Sequence, residues 1–253
     1  MKKALILFVL LFLLADLSAQ LRIGINGGYY NTSLLNSSIK NAEDLIDPDA
    51  SFGEMYGLSG MLLFGETTGL AFAINVLNIE QNLTGDIQYN VGPSVVTERY
   101  ELDLEIAYTS IPILFHAQTP NGWFFQAGPQ FNFTNTAKEA FRIVGQSSLN
   151  EINEIDDQFE NLVVAIEGSF GKEFSLSEKL KLNIALNGSI GLTDAVKQVA
   201  EEEINSEDFP AFILASHMGI VDDSPIAVDQ GEYSYASSNF STLGIKTGIH
   251  YQF

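Results

Sequence analysis

Thr242-Leu243-Gly244-Ile245-Lys246-Thr247-Gly248-Ile249-His250-Tyr251-Gln252-Phe253 is the stretch whose reading decides the fold. Leu243, Ile245, Thr247, Ile249, Tyr251 and Phe253 fall on one face. Thr242, Gly244, Lys246, Gly248, His250 and Gln252 fall on the other. Alternation with period two is a β-strand with one apolar and one polar face, since successive side chains of a strand point to opposite sides. The pattern runs flush to a terminal aromatic residue. Chain ends ordinarily fray. The last strand of a transmembrane barrel is instead held by pairing with the first. Leu243, Ile245, Ile249, Tyr251 and Phe253 therefore read as a C-terminal assembly strand.

The other end agrees. Lys2 and Lys3 precede an apolar run from Ala4 to Ala15, and Leu17-Ser18-Ala19 offers a small-residue cleavage site. This reads as a secretory signal peptide over 1–19, leaving 20–253 as one β-barrel domain. No apolar run beyond it reaches the roughly 18 residues of a membrane helix. The chain has no cysteine. An exported protein without disulfides draws its stability from a large core or a closed barrel. The net charge is −20, from 32 acids against 12 bases, which argues against nucleic acid as a partner.

Period-two segments occur at about 21–30, 55–65, 69–80, 100–117, 122–134, 161–173, 179–192 and 239–253. Most are long enough to cross a bilayer when tilted, which takes roughly 9–11 residues. One face carries Leu, Ile, Val and Phe; the other carries Gly, Ala, Ser, Asn and Gln. That polarity is what lipid outside and a small lumen inside require. Short links at 66–68, 118–121 and 174–178 alternate with long ones at about 31–54, 81–99, 135–160 and 193–238. The fold class is all-β: a closed, antiparallel, up-and-down eight-stranded transmembrane barrel with long extracellular loops. Within 100–117, Leu102, Leu104, Ile106 and Tyr108 are assigned to the lipid face, which sends Asp103 and Glu105 inward. Pro112 and Pro129 cannot donate to a ladder, and a bulge is expected near Pro112.

Ile111-Pro112-Ile113-Leu114, Phe125-Gln126-Ala127-Gly128-Pro129 and Leu243-Gly244-Ile245-Lys246-Thr247-Gly248 give the chain its resemblance to known proteins. It resembles the PorT-like outer-membrane β-barrel family, with an architecture similar to the OmpA and OmpX barrels. The resemblance spans nearly the whole mature chain and carries no catalytic signature. It implies residence in a Gram-negative outer membrane and, for some members, a part in secretion.

The strand phases assign Arg22, Asp103, Glu105, Glu167, Lys181 and Lys246 to a lumen charge network. Buried charges are costly alone, so the network is expected to pair into a plug. His116, His217 and His250 have no metal-ligand spacing, and no metal or cofactor is expected. Ser216-His217 is too slight a basis for a nucleophile and base, so no enzyme is expected. The acids of the long links read as a solvated anionic surface. Phe209, Phe212, Ile213 and Leu214 form an apolar stretch among those acids, a candidate partner loop. Tyr29, Tyr30, Tyr56, Tyr108, Trp123 and Tyr251 are assigned to interface belts. The function expected is structural or interaction work at the cell surface by a monomer. Its partners would be outer-membrane lipid, the barrel-assembly machinery and another surface or periplasmic protein. The alternatives are a narrow pore or small-ligand-binding barrel and, after them, a lipid-modifying enzyme.

Overall fold

The computed structural model describes residues 19–41, 46–91, 94–199, 218–219, 232–233 and 235–253. Residues 1–18 of the expected signal peptide and the apolar stretch with Phe209, Phe212, Ile213 and Leu214 lie outside the described residues, as do Ser216 and His217.

The strands are β1 (Ala19–Leu35), β2 (Asp47–Asp49), β3 (Ser51–Phe64), β4 (Thr68–Val91), β5 (Ser94–Gln118) and β6 (Trp123–Ile143). They continue as β7 (Gln146–Glu154), β8 (Leu162–Ser175), β9 (Leu180–Gly191), β10 (Met218–Gly219), β11 (Glu232–Tyr233) and β12 (Asn239–Gln252). One short helix, α1, covers Ser37–Asn41. Antiparallel pairings run β1–β3–β4–β5–β6–β8–β9–β12 and return to β1, so eight strands close a ring. Closure is made by fourteen paired positions from Arg22↔Gln252 to Leu35↔Asn239. The short strands β2 and β7 attach to β4 and β6, giving ten strands in the sheet. The small pair β10–β11 forms a sheet of its own.

One end of the ring has tight turns. Gly65 and Gly122 occupy left-handed φ values of 90° and 83°, where a side chain is strained. The opposite end is built differently from the expectation of four long loops. β4 and β5 stay paired out to Val91↔Ser94. β6 continues to Ile143 and returns as β7. The segments 81–99 and 135–160 are therefore mostly paired strand. β2, β4, β5, β6 and β7 together extend the wall beyond the ring as an antiparallel sheet.

β5 keeps a single phase along its length. Leu102, Leu104, Ile106, Tyr108, Ser110, Leu114 and His116 are all buried inside. Ile113 and Phe115 are exposed outside. The proline near its middle leaves the register untouched: Phe72↔Ile113 and Asn75↔Ser110 hold the same offset with the positions between unpaired. A missing N–H opens a local gap in the ladder and nothing more. The bulge lies elsewhere. Ala107 pairs Thr136 and Tyr108 pairs Thr134, leaving Asn135 of β6 as the extra residue.

Candidate functional site

The lumen is filled in layers. At the turn end, Arg22 of β1 meets Glu173 of β8 at 2.6 Å, with both side chains about 7% exposed. Arg22 Nε also donates to Gln252 at 3.2 Å. Gln118 donates to Glu173 at 3.2 Å, and the His116 ring sits between Gln118 and Gln126 at 3.3 and 3.1 Å. Further in, Lys246 of β12 donates to Glu167 of β8 at 2.9 Å. Asn187 donates to the same carboxylate at 2.8 Å and to Ser169 at 2.7 Å. A carboxylate inside a narrow barrel persists only with such partners, because desolvation of an unpaired charge costs several kcal/mol.

Arg22, Glu167 and Lys246 thus lie inside, as their strand phases require. Lys181 sits at the turn-end rim, where its ammonium donates to Ser175 at 2.9 Å. Asp103 and Glu105 do not belong to the lumen. They share β5 with the buried Leu102, Leu104 and Ile106 and point the opposite way. The physical reason is that this part of β5 lies in the sheet beyond the lipid belt, where water is outside and the apolar face turns inward. The residue that the sequence reading missed is Glu173, the partner of Arg22. The odd-numbered phase of Ala165, Glu167 and Ser169, carried four residues further, points to it.

A second group crosses β1. Ser59 Oγ of β3 lies 2.8 Å from His250 Nε2 of β12, and Asn183 Nδ2 of β9 lies 3.2 Å from His250 Nδ1. Gly24 of β1 stands in register with both Ser59 and His250. A Cβ at Gly24 would collide with His250 and with the Ile249 carbonyl, so glycine is what lets the imidazole reach across the strand. Because the Asn183 amide donates to Nδ1, the ring proton sits on Nε2 and is donated to Ser59, so the imidazole is not set as a base toward that hydroxyl. The cavity beside it measures about 30 Å³, room for one or two waters and not for an acyl chain.

Above these layers the lumen turns apolar. Tyr30, Met55, Leu77, Ile79, Leu104, Ile106 and Tyr108 belong to one buried cluster with Ile155, Phe159, Ala195 and Val196. The last four come from two segments that close over the barrel. Phe159 bridges Val196, Glu160 N donates to Ala195 O at 2.9 Å, and Ala195 N donates to Ser238 O at 2.7 Å. Tyr30 and Tyr108 are thus buried in this cluster. Tyr29, Tyr56, Trp123 and Tyr251 are exposed on the outer wall, as a belt requires. At the turn end Trp123 stacks on Phe170 at 5.3 Å, and Lys172 lies 5.3 Å from the Trp123 ring centroid. Glu139, expected on an exposed loop, is also inside, 1% exposed, and accepts from Asn153 at 3.3 Å.

The outer face of the hairpin sheet is charged. Glu80 of β4 stands directly opposite Glu105 of β5, and Glu105 opposite Lys138 of β6. Arg142 donates to Glu101 and to Asp103, each at 2.6 Å. The Glu80 carboxyl titrates above its usual range, first because of partial burial and then because Glu105, Asp103 and Glu54 crowd it. The Arg142 guanidinium is held protonated more firmly still by its bond to Glu101 and by the charge of Asp103. Among the described residues, no group of three or more His, Asp or Glu side chains is placed to hold a metal ion.

A closed antiparallel ring, apolar outside and ion-paired within, defines a transmembrane β-barrel protein. Residues 15–197 match the sequence profile of the outer membrane protein beta-barrel domain. That is well over half the chain, which belongs to this family and resides in the outer membrane. Among solved structures, the chain is similar to Neisserial surface protein A at 9% identity and a TM-score of 0.38, covering 93% of this chain and 99% of that one. It is similar to Ail, the attachment invasion locus protein of Yersinia pestis, at 10% identity and 0.33, covering 92% and 98%. OprG from Pseudomonas aeruginosa gives 10% identity and 0.33, covering 93% and 95%. These likenesses are too slight to carry a functional argument. No curated protein matches the chain.

Proposed function

We propose that the protein is a sealed surface platform. The barrel anchors it, and the sheet of β2, β4, β5, β6 and β7 faces the cell exterior and carries the interactions. One observation supports this reading above the others. The wall strands continue past the lipid belt as a paired sheet with a charged outer face, while the lumen below is packed with ion pairs and apolar side chains. A rigid sheet presents side chains at fixed spacing and loses little entropy when bound. Its partner would be another surface or periplasmic protein, with outer-membrane lipid and the barrel-assembly machinery needed first for insertion. The protein would act as a monomer and without catalysis, the Ser59–His250–Asn183 group serving only to fill the lumen. Assistance to secretion, as in the PorT-like group, is the finer form of the same reading.

The test has two arms. In planar bilayers, the wild type and Lys246→Met should both show no conductance steps; regular steps would favour a narrow pore. A variant in which residues 86–99 are replaced by Asn-Gly should stay heat-modifiable on SDS gels. It should lose cross-linking to its surface partner in intact cells. Cross-linking that survives this truncation overturns the platform.

A further inference from the structure

We propose that the small cavity in the lumen, lined from β1, β3, β4, β5, β6, β9 and β12, is a hydration site. One or two tightly held waters there join the Lys246 ammonium to the Asn26 amide carbonyl. Its polar lining is Asn26, Ser59, Gln126, Asn183, Lys246 and His250. Asn26 is 8% exposed and donates through Nδ2 to Asn75 Oδ1 at 3.0 Å. Its own Oδ1 has no hydrogen-bond partner among the described residues. Lys246 gives one proton to Glu167 at 2.9 Å. An ammonium carries three donors, so it has protons left for the cavity it lines. A buried acceptor and a largely buried donor, 13% exposed, beside one small space are what hold an internal water, which typically makes about three hydrogen bonds.

Volume and charge select water over other occupants. The cavity measures about 30 Å³, against about 10–15 Å³ needed per water. The lining holds no carboxylate, so a divalent cation finds neither charge nor ligand number there. An anion would meet an ammonium already neutralised by Glu167 and would face the Asn26 carbonyl. The neighbouring layer has the same chemistry. Asn75, Ser110 and Asn132 stand in register on β4, β5 and β6. Asn75 Nδ2, Gln130 Oε1 and Asn132 Oδ1 are also buried without partners among the described residues. Buried amides in this number call for small molecules that both donate and accept. The waters would make one network of two. The Ser59–His250–Asn183 group would connect through them to Lys246, Glu167, Asn187 and Ser169, spanning the lumen from β3 to β8.

The experiment uses the full mature chain refolded in detergent micelles, with ¹⁵N-resolved water-to-side-chain rotating-frame Overhauser spectra. The wild type should show long-lived water cross-peaks at the side-chain amides of Asn26, Gln126 and Asn183. Asn26→Leu, which fills the space and removes the acceptor, should lose those at Gln126 and Asn183 while remaining heat-modifiable. Should Asn26→Leu not fold, Asn26→Ala widens the space and removes the acceptor together with the Nδ2 bond to Asn75, and the water residence time at Gln126 and Asn183 should shorten about tenfold. Absence of cross-peaks in the folded wild type overturns the proposal, as does their persistence unchanged in either variant. Loss of the cross-peaks when chloride is exchanged for sulfate would overturn it too and assign the cavity to an anion.

Discussion

Two halves of the same two strands obey opposite rules. In the turn-end half of β4, Leu70, Phe72, Ile74 and Val76 point outward, and Gly69, Ala71, Ala73 and Asn75 point inward. In the hairpin-end half, Asn78, Glu80 and Asn82 point outward, and Leu77, Ile79 and Leu83 point inward. β5 inverts alongside it. Ile113 and Phe115 are outside near the turns, and Asp103 and Glu105 are outside near the hairpin tip. The inversion falls at one level, because Val76 pairs Thr109 and Leu77 pairs Tyr108. No residue is inserted in either strand there. The backbone phase is continuous and only the solvent changes, from hydrocarbon to water. Where lipid is outside, apolar groups face out. Where water is outside, the hydrophobic effect drives them into the lumen, as in a soluble barrel.

The largest break in this comparison should come from the lumen of the membrane half. Glu167→Ala leaves Lys246 buried without its carboxylate and should cost about 3–5 kcal/mol, measured by denaturant unfolding in lipid vesicles. The matching change in the hairpin half, Arg142→Met, breaks two exposed ion pairs and should cost less than about 1 kcal/mol. Equal costs would mean that the two halves do not differ in solvent as described.

The outer wall offers the next test. Ile74→Lys puts a charge against hydrocarbon and should cost about 2–4 kcal/mol near the bilayer midplane. Asn82→Lys, on the same face of the same strand beyond the inversion, should stay within about 0.5 kcal/mol of the wild type. A matching penalty at position 82 would place lipid where the comparison places water.

The smallest effect is pH-dependent and belongs to the hairpin half. Glu80 binds its proton more tightly folded than unfolded. Between its unfolded and its higher folded titration points the folded state holds more proton, so this group's contribution to stability falls as pH rises. Glu80→Gln should therefore be slightly more stable than the wild type at neutral pH, by no more than about 0.5 kcal/mol. The gain should vanish in mild acid, below the ordinary glutamate range. A gain that persists there would assign the effect to something other than charge crowding.

The architecture was legible in the sequence because lipid and lumen impose the period-two pattern wherever both are present. β12, β9, β8 and the membrane parts of β3 and β6 carry the phases that their residues announce. Reading failed where the pattern stayed but its meaning changed. Leu102, Leu104, Ile106 and Tyr108 look like a lipid face, and a sequence does not state which solvent lies beside a strand. Asp103 and Glu105 were misplaced with them. The lengths of β4, β5 and β6 were short-read for the same reason, since charged outer positions resemble loop. Of the lumen site, Arg22, Glu167 and Lys246 follow from phase alone. The pairing of Arg22 with Glu173, 151 positions apart, depends on barrel closure. So does the reach of His250 over Gly24 to Ser59, which no local pattern encodes.

The inversion on β4 is the central claim, and a spin-label accessibility scan of residues 70–84 in reconstituted bilayers tests it most directly. Even positions 70 to 76 should collide with oxygen dissolved in the lipid. Positions 78, 80 and 82 should collide with a water-soluble nickel chelate, and odd positions with neither. Even positions that remain oxygen-accessible beyond 78, or a switch of odd and even near 77, would contradict it.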